Sequence, residues 1–356
     1  MVTQMNTENF VNVVGYQFER VHTGVIKWIL DSKNQSVSLS DKYSVIKRLF
    51  DFCNKPINFN ANQIESIKCI PEYSFGRKRK IDLVIEIDLT SGVTKYIVIE
   101  MKVDSIPYAD QLNGTFSDFT ESVTVNDQNI CFMLFLFGSS QVCEIPSNHV
   151  FSVCSVDSII NLFSKLNITE KIYLDWLESL NEEFSRFNNL IGLFPLTNNI
   201  WDYEFWKEYG YRPPFSLFYY FYHHLKVESS SPLDWNIYSG SNNPVMNWSP
   251  GWQELNYKEK PVLFYWEFNY QDFVLKVKID EQYKLSKSEL TALRKDVASI
   301  CHCIDVKEGY KTQNRYGVFN SLYKWNYDFL QEDFADIMNT TEELLAKITA
   351  KLNSTF

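Results

Sequence analysis

Between residues 16 and 31, Phe18, Val21, Val25, Ile26, Ile29 and Leu30 recur at the three-and-four spacing of one helical face. A second helix is predicted over Asp41–Phe52, entered at a Ser40 or Asp41 cap. The period then shortens. Ile64–Tyr73, Ile81–Ile87 and Tyr96–Met101 are short runs rich in β-branched residues, separated by turn signals such as Ser91-Gly92. A helical stretch follows Pro107. After it come an unbroken apolar run over Ile130–Phe137, which reads as a fully buried strand, and a further strand over Val150–Cys154.

That order predicts an α/β fold with a central mixed sheet flanked by helices. Three consecutive strands meander, whereas the later strands arrive after a helical crossover and lie parallel. A core over 1–165 and a helical connector over 166–200 are expected, followed by a different α+β unit over 201–356. In that unit the pattern predicts an aromatic helix from Trp201 to Lys226 and a loop at Glu228–Pro232. A hairpin of Val262–Phe268 and Phe273–Ile279 follows, and helices over 286–300 and 331–352 close the chain.

Composition sharpens this picture only in places. Aromatic residues make up 16% of the 356 positions, and most of the nine Trp fall beyond residue 200. The second unit is therefore expected to hold its own aromatic core or an oligomer interface. The formal charge of −10 excludes a generic nucleic-acid coating protein, which needs Lys and Arg to displace counterions. A bound divalent ion reverses the local field, and any nucleic-acid contact must come from a local basic patch or require a partner subunit. Seven Cys without a CxxC pair read as free thiols, and Cys301-His302-Cys303 is spaced too tightly for a zinc knuckle. The opening MVTQMNTENF has neither the basic nor the apolar region of a secretory signal, and Ile130–Phe137 is too short to span a bilayer. The expectation is a soluble cytoplasmic protein without membrane contact.

The chemistry lies where two strands meet. In Ile97-Val98-Ile99-Glu100-Met101-Lys102, strand alternation sends Glu100 and Lys102 to one face and Ile97, Ile99 and Met101 to the other. Asp82 opens the preceding strand, so two carboxylates and a lysine converge at one edge of an apolar sheet. Oxygen ligands of this kind suit Mg²⁺, with Mn²⁺ as a substitute. Such an ion polarises a phosphate and acidifies a bound water, and a nearby lysine orients that water. Arg77-Lys78-Arg79-Lys80 is the densest basic run and falls just before Asp82, where a phosphate backbone would pass. His22 follows Glu19 on the same helical face, and His223-His224 lie among aromatics, where packing is the simpler reading.

An acidic residue opening one strand and Glu-x-Lys in the next resemble the signature of the PD-(D/E)XK nuclease superfamily, whose fold is that of restriction endonucleases. The resemblance spans roughly residues 8–155. Glu19 looks like the glutamate that the first helix carries in many members, Glu72 like a strand-end glutamate of a bacterial branch, and Gln111-Leu112 like that branch's Gln-Leu. Ile81 stands where proline is frequent, Met101 where Asn is frequent, and no Arg-Tyr pair follows Gln111-Leu112.

The resemblance implies a restriction-endonuclease-like core and a Mg²⁺-dependent endonuclease. Asp82, Glu100 and Glu19 would be its metal ligands, with Lys102 and Gln111 beside the reacting groups. It implies DNA ahead of RNA as substrate and a role in restriction, repair or phage defence, with partner proteins of such a system. A homodimer would account for double-strand cleavage. Two alternatives stay open: the same site acting on RNA, and an inactive nucleic-acid- or protein-binding module that kept the fold.

Overall fold

Gly15, at φ +119°, turns the chain from the short helix α1 (Phe10–Val14) into α2 (Glu19–Leu30). A Cβ there would lie 2.7 Å from the Gln17 side chain and 2.9 Å from that of Phe18, so no other residue fits the turn. The computed structural model describes residues 6, 8–74, 80–123, 125–239, 243–313 and 315–356. They form two units. The first comprises the described residues up to Gln141, Ile145–Leu190 and Glu208–Gly210, and the second comprises Val142–Glu144, Ile191–Lys207 and the described residues from Tyr211 to Phe356.

In the first unit, α3 spans Leu39–Phe52 and is capped by Ser38, not by Ser40 or Asp41. The Ser38 hydroxyl accepts the Asp41 amide at 3.0 Å and donates to the Asp41 carboxylate at 2.6 Å, so the helix starts one turn before that amide. The strands are β1 (Ile64–Tyr73), β2 (Ile81–Leu89), β3 (Thr94–Val103), β4 (Ile130–Phe137) and β5 (Ser152–Cys154), in spatial order β1-β2-β3-β4-β5. The first three pair antiparallel, and β3-β4 and β4-β5 pair parallel, giving the mixed sheet expected from the pattern.

Alternation along the strands builds two apolar layers. Leu83, Ile85, Ile97, Ile99, Met101, Met133 and Phe135 pack toward α2, α3, α5 (Val156–Phe163) and α6 (Lys171–Asn189). Val84, Val98, Phe132 and Leu134 pack on the other side with Leu112 and Phe119 of α4 (Ala109–Ser122). Every residue of β4 is buried, as its uninterrupted apolar run requires.

Helix α6, expected within a connector, belongs to this first unit. Its Trp176 Nε1–H donates to His22 Nδ1 at 3.1 Å, and His22 Nε2 meets the Tyr16 carbonyl at 2.8 Å. The two partners fix a neutral imidazole with its proton on Nε2. The ring is fully buried and stacks on Phe137 at 3.9 Å, so His22 is a packing residue that braces α2.

The second unit is an antiparallel sheet with helices. Helix α7 (Tyr203–Glu208) and α8 (Phe215–Glu228) replace the single aromatic helix expected there; Gly210, at φ +84°, and Pro213-Pro214 interrupt it. The strands are β6 (Trp235–Ser239), β7 (Pro244–Trp248), β8 (Gln253–Tyr257), β9 (Lys260–Asn269) and β10 (Asp272–Lys278), followed after α9 (Lys287–His302) by β11 (Tyr310–Lys311) and β12 (Phe319–Asn326). Helix α10 (Phe334–Thr355) follows β12. The sheet order is β11-β12-β10-β9-β7-β6, with β8 also on β9, and β9-β10 is the expected hairpin. Trp235, Trp266 and Trp325 are each about 1% exposed, so the aromatic excess builds a second core. Among the described residues no helix is long and apolar enough to cross a membrane.

Candidate active site

The β2-β3 ladder stops where the chemistry begins. Its last pair is Leu83↔Ile99, one residue short of Asp82 and Glu100. Beyond it the Asp82 carboxylate, not a strand carbonyl, accepts the Met101 amide at 2.7 Å. That bond satisfies a backbone donor where the strands part and fixes the carboxylate at the mouth of the gap. On the other side, β3 stays paired with β4 through Val103, which holds Glu100 and Lys102 rigidly.

Glu100 and Lys102 share the β3 face that meets α4. Glu100 is 1% exposed and Lys102 8%. Thr115 of α4, fully buried, donates its hydroxyl to Glu100 Oε1 at 2.8 Å. The other oxygen, Oε2, is buried with no hydrogen-bond partner. Burial, with the Asp82 charge close by, pushes the Glu100 carboxyl up to about 8, against the opposing pull of Lys102 and Thr115. Lys102 Nζ donates to the Met101 carbonyl at 3.0 Å. Among the described residues no carboxylate oxygen lies within ion-pair distance of it, which leaves two of its three N–H donors uncommitted.

Glu19 opens α2, where the positive end of the helix favours a carboxylate. Burial raises its pKa and Asp82 adds to the rise, while Lys102 and the Val103 amide lower it, so Glu19 shares the field of the other three groups. Phe18, Glu19, Arg20, Glu72 and Asp82 line an open cleft of about 660 Å³. Glu72 has φ +48°, a left-handed backbone for a non-glycine residue at the end of β1, and its side chain is exposed and paired with Lys80 at 3.0 Å. Lys80 is the one member of the basic run within the described residues; Arg77, Lys78 and Arg79 lie outside them.

Gln111 sits in the first turn of α4, half-buried and one helical turn before Thr115, without a side-chain bond to the cluster. Thr115 was not anticipated from the sequence. Its four-residue spacing from Gln111 is the signal that would have found it.

The expected three-carboxylate metal shell is not closed. Among the described residues no group of three or more His, Cys, Asp or Glu side chains is spaced to hold a metal ion. Carboxylates that repel one another stay apart unless a cation gathers them. The donors nonetheless fit a hard divalent ion. Glu100 offers a buried oxygen with no partner, Asp82 stands beside it, and Mg²⁺ needs only one or two carboxylates with water and phosphate filling the rest. No protein family, curated protein or solved structure matches the chain.

Proposed function

We propose that the first unit is a Mg²⁺-dependent nuclease with a restriction-endonuclease-like core, hydrolysing phosphodiester bonds in nucleic acid, with DNA ahead of RNA. The observation that carries this reading is the unpartnered Glu100 Oε2, buried beside Asp82 and Lys102. A buried carboxyl oxygen with no donor, beside a like charge, costs stability until a proton or a cation completes the site, and the rise of Glu100 to about 8 expresses that cost. Asp82 and Glu100 would hold the ion, with Glu19 approaching from the cleft, and the ion would supply charge neutralisation at the phosphate and acidify a water.

The residues of the chain then divide the work. Thr115 keeps Glu100 oriented, and the Met101 amide does the same for Asp82. Lys102 Nζ turns its uncommitted N–H donors toward the attacking water and a non-bridging phosphate oxygen. The water oxygen forms the new bond to phosphorus as it gives up a proton to solvent, the phosphorus–sugar oxygen bond breaks, and the departing oxygen takes up a proton from solvent. Gln111, one helical turn before Thr115, would contact water or phosphate, a role that the resemblance alone implies. A role in restriction, repair or phage defence follows from the resemblance alone, and a cytoplasmic setting from the free thiols.

Cleavage of supercoiled plasmid and of a mixed RNA pool, with Mg²⁺ or EDTA, tests the reading. Metal-dependent cutting is expected, with Lys102→Ala slowing it by about 10²–10³-fold. The preferred polymer identifies the substrate. No cutting of either polymer under any condition would refute the enzyme and leave a binding module, and cutting that survives the substitution would place the active site elsewhere.

A further inference from the structure

The second unit holds a concavity of about 640 Å³ whose character is opposite to that of the chain as a whole. At its base is Arg294 of α9, 2% exposed. Its Nε donates to the Ser321 carbonyl at 2.9 Å, and one Nη2 proton goes to the Arg315 carbonyl. These bonds use two of the five guanidinium donors. No carboxylate pairs with Arg294 among the described residues, and its burial there pulls its pKa below the usual guanidinium value. Lys311 and Arg315 also line the pocket, both exposed and both without an acidic partner among the described residues. Lys324 lines it too, already matched by Asp272. Three cationic side chains without a carboxylate partner among the described residues, and a fourth paired with Asp272, thus line one hollow of a protein whose net charge is −10.

Two rings complete the lining. Tyr310 is 47% exposed and Phe319 54%, in a unit whose other aromatic side chains mostly fill the core. A buried arginine without a counter-charge costs several kcal/mol, and two backbone carbonyls only partly offset that. An anion with several acceptor oxygens is the natural complement of the remaining donors, because a guanidinium presents parallel N–H groups to phosphate. Exposed aromatic faces beside such a site suit a planar base.

We propose that this pocket binds a nucleotide unit, its phosphate on Arg294, Lys311 and Arg315 and its base against Tyr310 or Phe319. Both a free nucleotide and a nucleotide within a strand have this chemistry. The proposal does not depend on the first unit being a nuclease, since every group it uses lies in the second.

The test uses the full chain carrying Lys102→Ala, in EDTA, titrated calorimetrically with AMP, adenosine and a short single-stranded oligothymidylate. Saturable binding of AMP or of the oligonucleotide is expected, with adenosine at least about tenfold weaker than AMP. Lys311→Glu with Arg315→Glu should weaken the binding by at least about tenfold at an unchanged unfolding midpoint. These two exposed positions keep the test decisive if Arg294→Gln fails to fold. Binding of AMP would identify a free nucleotide, and binding of the oligonucleotide alone would identify a strand. No saturable binding of either at millimolar concentration, or binding that the double substitution leaves intact, would overturn the proposal.

Discussion

Each of the two sheets carries a buried glutamate on an interior strand, and the two glutamates are treated in opposite ways. Glu267 of β9, 4% exposed, is paired with Lys276 of the neighbouring β10 at 2.8 Å. Glu100 of β3, 1% exposed, has a threonine hydroxyl on one oxygen, nothing on the other, and Asp82 close by. The second sheet pairs its carboxylate with a lysine, and the first sets its carboxyl beside a like charge that raises its pKa. A buried carboxylate is therefore informative by what faces it rather than by its presence: paired, it belongs to the architecture, and unpaired beside a like charge, it marks a place for a cation.

The contrast breaks first if the Glu267–Lys276 pair turns out to be dispensable. Lys276→Met strands a buried carboxylate and is expected to destabilise the second unit by about 3–5 kcal/mol, read from urea unfolding. Adding Glu267→Leu should restore most of that loss. A single variant as stable as wild type would show that the pair balances nothing.

Thr115→Val tests the other side. It keeps the shape and removes the donor to Glu100 Oε1, so cleavage should slow about tenfold, near 1.4 kcal/mol, with the fold intact. Unchanged turnover would reduce Thr115 to a packing residue.

Glu100→Gln should act on stability in the reverse direction to Lys276→Met. In EDTA near neutral pH the amide removes the cost of keeping a buried carboxyl protonated beside Asp82, which grows as the pH rises from about 4.5 to about 8, and is expected to raise the unfolding free energy by about 1 kcal/mol. Mg²⁺, which should stabilise the wild type, should then have no effect. If Mg²⁺ stabilises both chains equally, it binds elsewhere.

The smallest effect is expected at a surface carboxylate. Lys260 and the Ser286 amide and hydroxyl hold the Glu289 carboxyl down at about 2, from an ordinary 4.5. A depressed folded-state pKa contributes stability above about 4.5 that is lost as the pH falls through about 2. Wild type and Glu289→Gln should therefore differ slightly at neutral pH, less in high salt, and converge near pH 2. A gap that persists in strong acid would mean that the capping geometry, not the charge, is responsible.

The residues that strand alternation places were legible in the sequence. Glu100 and Lys102 are two apart in a strand, so their shared face follows from geometry, and the mixed sheet followed from three uninterrupted strands and a helical crossover. Contacts between distant segments were not legible. The place of α6 in the first unit depends on contacts such as Trp176 reaching His22, and the cation-lined pocket depends on α9 delivering Arg294 to the Ser321 carbonyl of β12. The break between α7 and α8 was spelled out by Gly210 and Pro213-Pro214, but an aromatic run continuing on either side concealed it. Strands β6, β7, β8 and β12 are short or carry polar residues among the rings, which blurs the period that marks a strand.

The bond between Trp176 and His22 also imposes an order on the chain as it emerges from a ribosome. The five strands are complete once Cys154 has been made, but the imidazole that steadies the Glu19 helix still lacks its indole donor. A fragment cut at residue 165 would keep α2 packed on the sheet, but its His22 would lack the indole donor. Activity is therefore expected to rise only once α6 has been synthesised and docked.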